Sequence, residues 1–398
     1  MLTENELKYC VGCSACANIC TVGAIKMAPD DEGFLYPNIN MLLCISCGKC
    51  IKVCQVKNKP ALNHTKEAYA GIHKDKDILM KSSSGGAFTA IAQAVLENHG
   101  SVFGVGSDLS HCAVHVCAES LDELKNIHGS KYMQSNIQTS YCQIKQRLES
   151  GSTVLFSGTP CQVAGLYLFL EKPYKNLITV DLICHGVPSA RMFLDYKENL
   201  EKRLGGFITS YKFRHKEKKP NRYMGMVTYK KKGKLKKTPV YWLTDSYNYY
   251  FMHGDILRKS CYSCQYAVEN RVADITIGDY WGVEKLHPDI NKDFGVSLLL
   301  INTEKAQEWL SNIEKYINLT PTTLSNVYKN NAQLRHPTRE SRIRDELFTL
   351  WHNGGYVQID KRFKKQNRSN YSVIWRYKLL KMISPNIKSK IKKVLRKI

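Results

Sequence analysis

Eight of the chain's fifteen cysteines lie in two copies of one short motif near its start. The first copy reads C-V-G-C-S-A-C-A-N-I-C from Cys10, and the second reads C-I-S-C-G-K-C-I-K-V-C from Cys44. Three thiolates on so tight a turn can bind three corners of an iron–sulfur cube, while the fourth cysteine reaches across to the other cube. The spacing therefore predicts two [4Fe–4S] clusters. Their predicted ligands are Cys10, Cys13, Cys16 and Cys54 for one cluster, and Cys44, Cys47, Cys50 and Cys20 for the other.

The repeated motif resembles the two-cluster bacterial ferredoxins in all eight cysteines. It departs from them after the fourth cysteine of each copy, where Thr21 and Gln55 stand in place of the usual proline. Zinc is the structural alternative, because C-x2-C pairs also form zinc sites. The doubled ferredoxin spacing favours iron–sulfur clusters, and residues 1–60 are expected to form a ferredoxin-like module.

Beyond a polar linker, apolar strands alternate with helices, which predicts a mixed α/β body (class α+β or α/β). The strand-like segments at 101–106, 153–158 and 177–184 each end at a turn. A fold of this kind presents its functional groups at the carboxyl ends of its strands. The turns after the second and third of these strands carry Cys161 and Cys184.

A second group of cysteines is therefore available for a metal or a cluster. Cys261 and Cys264 form a C-x2-C pair ahead of another strand-like segment, A-D-I-T-I-G-D. Together with Cys161 and Cys184 they supply four thiols, the number that a third cluster or a zinc ion needs. Spacing alone gives weak support to this grouping, since isolated cysteines usually act as small buried hydrophobes. The cysteines interpreted in that way are Cys112, Cys117 and Cys142.

Five sequence words follow one another in the body. They are S-S-S-G-G-A-F-T (82–89), G-S-K-Y (129–132), V-L-F-S-G-T-P-C-Q (154–162), D-L-I-C-H-G-V-P-S (181–189) and R-V-A-D-I-T-I-G-D-Y-W-G (271–282). With these words, the stretch from about residue 68 to 300 closely resembles the beta subunit of the coenzyme F420-reducing hydrogenase and related dehydrogenases. The ferredoxin-plus-body arrangement looks like a bacterial branch associated with surface-polysaccharide gene sets.

The resemblance implies FAD and a third [4Fe–4S] cluster in the body. The implied ligands of that cluster are Cys161, Cys184, Cys261 and Cys264. The loop before the helix at 87–96 would suit the flavin diphosphate, because glycines allow close backbone approach and a helix N-terminus favours anions. Its residues are Ser83, Ser84, Gly85 and Gly86, for which an ordinary helix cap is the alternative. Lys131 is a candidate to neutralise phosphate or reduced flavin, with a solvated lysine as the alternative.

Two further residues are candidates for the chemistry itself. His185, beside Cys184, could donate a proton, although such a histidine more often hydrogen-bonds a neighbouring group. Asp279, in G-D-Y-W-G, could line the substrate face. The sequence contains no G-x-G-x-x-G word, so a Rossmann-type NAD site is not supported.

The net charge of +23 is concentrated in two segments. Residues 361–398 hold 14 Lys and Arg and no acidic residue, and residues 212–237 hold 12 against the single Glu217. The tail has apolar positions at helical spacing, which is typical of a helix on an anionic membrane surface, with a solvated helix or a disordered tail as alternatives. The internal segment predicts a β-hairpin with its turn at Gly233 and a solvated basic rim. Neither segment carries the aromatic stacking motifs of a nucleic-acid binder, so no nucleic-acid partner is expected.

The expected organisation has four parts. They are a two-cluster module (1–60), a flavin and iron–sulfur body (67–300), a helical extension (301–360) and a basic amphipathic tail (361–398). With 43% hydrophobic residues, and neither a signal peptide nor an uninterrupted apolar span in the sequence, the expected location is cytoplasmic, with peripheral contact at the inner face of the membrane through the tail.

The expected function is that of an iron–sulfur flavoprotein oxidoreductase. Clusters carry single electrons, whereas an organic substrate usually gains or loses a pair. A flavin can exchange either one electron or two, so it can connect the clusters to the substrate. The expected partners are a ferredoxin-like redox protein and a small organic substrate, either coenzyme F420 or a sugar-type acceptor. The alternative is a non-catalytic electron-transfer subunit of a larger redox complex.

Overall fold

The computed structural model describes residues 7–216 and 224–369 of the chain. Its helices are α1 (Ala15–Ile19), α2 (Lys49–Lys52), α3 (Lys76–Lys81), α4 (Ala87–Glu97), α5 (Ser140–Glu149), α6 (Pro160–Leu170), α7 (Ala190–Leu204), α8 (Ser246–His253), α9 (Val283–Leu286), α10 (Glu304–Glu308), α11 (Leu310–Glu314), α12 (Leu324–Asn330), α13 (Arg344–Gly354) and α14 (Tyr356–Gln366). Four short 3-10 segments lie at Glu123–Ile127, Trp242–Thr244, Lys259–Ser263 and Ala332–Leu334.

The strands form three sheets. They are β1 (Ile25–Pro29), β2 (Leu35–Ile39), β3 (Glu67–His73), β4 (Ser101–Ser107), β5 (Ala113–Ala118), β6 (Val154–Gly158), β7 (Leu177–Leu182), β8 (Phe207–Lys212), β9 (Met224–Lys231), β10 (Lys234–Tyr241), β11 (Ile275–Asp279), β12 (Ser297–Ile301) and β13 (Ile317–Thr322). β1 pairs with β2, and β8, β9 and β10 form a three-stranded antiparallel sheet.

The largest sheet has eight strands in the order β13-β3-β12-β11-β7-β6-β4-β5. Its centre is parallel, because β4, β6, β7 and β11 run in the same direction, and the remaining pairs are antiparallel. The mixed α/β class is thus confirmed. Since parallel strands end at one edge, the turns after β6, β7 and β11 lie side by side there.

The N-terminal module packs directly on the body. Ala15 in α1 and Val53 just after α2 belong to the same hydrophobic core as Tyr141, Phe156 and Leu166 of the body. Burial of these apolar side chains fixes the module against α5 and α6. The module is therefore held at the same side of the molecule as the turn that begins α6.

Several expected elements are present and one region differs. The strands at 101–106, 153–158 and 177–184 are β4, β6 and β7, and the basic hairpin is β9 and β10 with Lys232 and Gly233 at its turn. The segment 301–360, expected to be helical, also contributes β13, which pairs with β3 at the edge of the large sheet. The basic tail lies almost wholly outside the described residues, apart from the last turns of α14.

Across 7–216 and 224–369, none of the helices combines the length and the apolar character that a membrane span requires.

Candidate functional site

Four cysteines of the body meet near the carboxyl edge of the large sheet. Cys161 lies in the first turn of α6, Cys184 follows β7, Cys261 lies in the 3-10 segment after α8, and Cys264 ends that segment. All four thiols are close enough to interact electrostatically with one another. The structure thus brings together the four cysteines that the resemblance groups.

Burial strongly disfavours the thiolate form in this group. It raises the pKa of Cys184 to about 12 and that of Cys261 to about 11, and the neighbouring thiols add to the rise. The pKa of Cys161 is raised for the same two reasons, although Thr159 Oγ1 lies 3.2 Å from its sulfur and opposes the rise. Without a metal centre these thiols are therefore protonated at neutral pH, and binding of a cluster would release their protons.

The first predicted ligand set of the N-terminal module surrounds a small cavity of about 30 Å³. Its lining includes Cys10, Cys13, Cys16 and Cys54. Burial, together with nearby Cys10 and Cys54, raises the pKa of Cys13 to about 11. Four thiols around one cavity are the donor set that an iron–sulfur cluster requires, so these residues fit such a group.

The second predicted set lies nearer the solvent. Cys47 is exposed, while Cys44, Cys50 and Cys20 are half-buried. Cys20 and Cys50 pack with Cys54 around Ile25, so the two sets are neighbours within the module. Within the described part of the chain, no group of three or more His, Cys, Asp or Glu side chains could hold a single metal ion.

Two contacts join the N-terminal module to the body cysteines. The buried Gln55 donates from Nε2 to the carbonyl oxygen of Cys161 at 2.7 Å, and its side chain also hydrogen-bonds the thiol of Cys13. Gly165, one turn into α6, leaves room for that thiol, since a Cβ there would lie 3.0 Å from Cys13 Sγ. The side chain of Gln55 thus hydrogen-bonds both Cys13 of the module and Cys161 of the body.

A cavity of about 440 Å³ opens beside the body cysteines. Its wall includes Cys161 and Cys184, which follow β6 and β7, and Asp279 at the end of β11. The cavity therefore lies where an α/β fold binds its ligands. Its lining is largely apolar, with a few polar and charged groups, which is typical of a site for an organic cofactor or substrate.

The serine and glycine loop before α4 forms one side of this cavity. Ser83 accepts hydrogen bonds from the backbone N–H and the hydroxyl of Ser130 at 2.8 and 2.9 Å, which ties the loop to G-S-K-Y. Ser84 and Gly86 also line the cavity, and Gly86 has φ +90°, in the left-handed region that favours glycine. Gly85 differs from expectation: it lies outside the lining, and a Cβ there would be 2.0 Å from a backbone oxygen of β3.

Lys131 is half-buried at the cavity wall, with its ammonium turned inward, rather than fully solvated. Its ammonium donates to the carbonyl oxygens of Val105, Ile127 and His128 at 2.6, 3.3 and 3.0 Å. Burial lowers its pKa to about 8. No carboxylate lies within ion-pair distance of this ammonium among the described residues, so its charge favours an anion in the cavity.

Asp279 forms an ion pair instead of facing the cavity alone. Its Oδ2 accepts a hydrogen bond from Arg214 Nη1 at 2.5 Å, and both side chains are largely buried. Asp279 and Tyr132, which hydrogen-bonds Arg214, together raise the pKa of this guanidinium despite its burial. This geometry differs from the expected catalytic role, because the carboxylate holds Arg214 at the cavity wall.

His185 lines the cavity with both ring nitrogens engaged. Nε2 donates to the carbonyl oxygen of Phe251 at 3.1 Å, and Nδ1 lies 3.5 Å from Gln333 Nε2 and 3.3 Å from Thr338 Oγ1. Burial lowers the pKa of the ring. A neutral imidazole with its proton on a backbone oxygen cannot readily supply that proton to a ligand. The structure therefore favours a role in orienting the turn after Cys184.

Sequence reasoning missed Arg214 and Gln55. Arg214 belongs to the basic segment that was expected to form a solvated rim, yet it points into the cavity. Gln55 was noted only as a replacement for proline. A lone arginine or glutamine carries no sequence pattern of its own, and only the tertiary contacts show what these side chains face.

Replacing Asp279 with asparagine is expected to destabilise the protein by about 3 kcal/mol, because Arg214 would keep a buried charge without its carboxylate. Urea unfolding followed by tryptophan fluorescence measures the change. The matched control is Glu198→Gln in the exposed Lys202–Glu198 pair, for which we expect a loss of less than about 0.5 kcal/mol. Equal losses of unfolding free energy in the two variants would show that the buried ion pair stabilises the protein no more than the exposed pair does.

Comparison with known proteins bears on these sites. The profile for the N-terminal part of the coenzyme F420 hydrogenase/dehydrogenase beta subunit matches residues 68–140, and that for its C-terminal part matches residues 151–325. Together they match more than half of the chain. A profile for a 4Fe-4S dicluster domain matches residues 9–58. No curated protein matches the chain.

One similar solved structure is a chain from the F420-reducing [NiFe] hydrogenase complex of Methanosarcina barkeri, studied by xenon derivatization. It is 19% identical, with a TM-score of 0.43, and the match covers 78% of the present chain and 93% of that chain.

The N-terminal profile covers the serine loop, the C-terminal profile covers the four body cysteines, and the dicluster profile spans the repeated motif. The chain belongs to the coenzyme F420 hydrogenase/dehydrogenase beta subunit family and carries a 4Fe-4S dicluster domain ahead of that body.

Proposed function

We propose that this iron–sulfur redox protein is a flavin-dependent oxidoreductase. Electrons would pass between the N-terminal module, a third cluster bound by Cys161, Cys184, Cys261 and Cys264, and FAD in the large cavity. A hydride would then pass between the flavin and a small organic substrate, in either direction.

The observation that carries this proposal is that the body cysteines and the large cavity have two residues in common. Cys161 and Cys184 belong both to the group of four body cysteines and to the lining of the 440 Å³ cavity. Cys161 also accepts the hydrogen bond from Gln55 of the N-terminal module. One residue thus contacts the module, the body cysteines and the cavity, which supports a continuous route for electrons.

The cavity residues fit an anionic cofactor of the flavin type. The N-terminus of α4 faces the cavity through Gly86, Ala87 and Phe88, and helix N-termini favour phosphate groups. Lys131 adds positive charge at the wall, whereas the charge of Arg214 is balanced by Asp279. When bound, a flavin supplies the exchange between single electrons and electron pairs. The chain contributes the binding charge, the apolar surroundings and the spacing.

A non-catalytic subunit is the second candidate, favoured by the exposed edge of the N-terminal module. Cys47 is exposed, and so are Met41, Leu42 and Ile45 on the same loop. Such a surface suits contact with another redox protein. In that case electrons would leave through a partner, and no small substrate would be reduced by this chain.

Stopped-flow reoxidation separates the two candidates. The protein is reduced with dithionite under anaerobic conditions and mixed with coenzyme F420 or a nucleotide sugar, with and without a ferredoxin. If a small acceptor alone restores the spectra of the oxidised flavin and clusters, the oxidoreductase proposal is supported. Reoxidation that occurs only when the ferredoxin is present would favour the electron-transfer subunit.

A further inference from the structure

Arg258 stands apart from the other deeply buried arginines. Arg271 lies 3.1 Å from a carboxylate oxygen of Asp181, and Arg344 makes two hydrogen bonds to Glu32, at 2.8 and 2.5 Å. Arg258 is only 1% exposed, and no carboxylate of the described residues lies within 4.0 Å of it. Asp30 interacts with this guanidinium only from beyond ion-pair distance. A buried cation without a direct counter-ion is costly, so a close anionic group of another kind would stabilise it.

The guanidinium of Arg258 contacts the first ligand set of the N-terminal module through the backbone of Cys10. Its Nε donates to the carbonyl oxygen of Cys10 at 2.8 Å, and Nη1 donates to that of Leu35 at 3.1 Å. The guanidinium carbon lies 4.0 Å from the ring centre of Tyr36. Nη2 is buried and has no hydrogen-bond partner. These contacts fix the guanidinium firmly but supply no negative charge.

The same arginine also adjoins the body cysteines. Its carbonyl oxygen accepts the backbone N–H of Cys261 at 2.9 Å, at the start of the 3-10 segment that leads to Cys264. Arg258 therefore lies between Cys10 of one ligand set and Cys261 of the other.

We propose that Arg258 is the counter-charge of the cluster bound by Cys10, Cys13, Cys16 and Cys54, and that it raises the reduction potential of that cluster. The inference rests on the proposed function. Four thiolates around a [4Fe–4S]2+ core carry a net charge of about −2, and uptake of one electron from a low-potential reductant makes it about −3. A nearby fixed cation stabilises the reduced form more than the oxidised form.

The test is a redox titration of the holoprotein with dithionite, monitored by electron paramagnetic resonance. We expect Arg258→Met to lower the reduction equilibrium constant of one cluster about tenfold, which corresponds to about 59 mV for one electron. Arg258→Lys keeps the charge and is expected to retain most of the potential. Arg203→Met removes an equal charge from a half-exposed arginine paired with Asp360, and is expected to change no cluster potential.

The outcomes separate this inference from the proposed function. Full iron content with unchanged potentials in Arg258→Met would overturn the inference and leave the function standing. If Arg258→Met loses one cluster, Arg258→Lys decides: retention of that cluster supports a charge effect, and its loss overturns the inference in favour of a purely structural role. A wild-type protein that binds no cluster would overturn the proposed function itself.

Discussion

Replacing Cys161 with alanine is expected to remove about four of about twelve iron atoms per chain and to stop electrons from the N-terminal module reaching the flavin. Cys161 is the residue that the cavity, the body cysteines and Gln55 all contact. Without its thiol the remaining three body cysteines cannot complete the ligand set. Iron analysis and dithionite reduction followed at flavin wavelengths measure the two effects.

The control for this variant is Cys117→Ala. Cys117 is half-buried in β5 and is expected to be an ordinary packing residue, so its replacement should leave iron content and flavin reduction unchanged. Full iron content together with normal flavin reduction in Cys161→Ala would contradict the assignment of this cysteine. Loss of iron in both variants would indicate a general folding defect.

Replacing Lys131 with methionine is expected to weaken binding of FAD about tenfold, because a buried positive charge at the cavity wall is lost. All three ammonium protons already face carbonyl oxygens, so the lysine acts through its charge and not through a new hydrogen bond. Fluorescence quenching of FAD by the flavin-free protein measures the affinity.

The same lysine predicts a pH dependence. Its pKa is lowered from the ordinary 10.5 to about 8, since burial penalises the ammonium, and neighbouring His128 is neutral at this pH because its own pKa is lowered to about 4. The penalty on the folded, flavin-free state is complete below pH 8 and is relieved as the pH rises from about 8 to 10.5. Affinity for the anionic cofactor should therefore fall above pH 8.

The matched control is Lys125→Met. Lys125 is exposed, pairs with Asp122 and lies in the 3-10 segment ahead of Lys131. The Lys125→Met variant should keep both the affinity for FAD and its decline above pH 8, whereas Lys131→Met should lose this decline. An unchanged pH profile in Lys131→Met would show that another group controls binding.

The local patterns predicted the fold well where one rule dominates. Alternating strands and helices predicted β4, β6, β7 and α4, because apolar periodicity reflects burial directly. The edge strand β13 was not anticipated, since its segment I-N-L-T-P-T is short and half-exposed. Its place is decided by pairing with β3, which is distant in sequence.

In the candidate site, too, some residues could be predicted from local spacing, whereas others depend on contacts between distant parts of the chain. Cysteine spacing indicates shared ligand sets because covalent geometry restricts which thiols can meet. The roles of His185 and Asp279 could not be predicted so directly, because each depends on partners far along the chain, Phe251 for the histidine and Arg214 for the aspartate. The interest of Arg258 depends on its tertiary contacts as well, because only they show that no carboxylate of the described residues lies within 4.0 Å of it.

The most direct test of the central claim is the cofactor content of the full chain purified without oxygen. Iron, acid-labile sulfide, zinc and flavin are measured on the same sample. The proposed function predicts about twelve iron atoms, about twelve sulfides and about one FAD per chain. A colourless protein that contains zinc and neither sulfide nor flavin would contradict it.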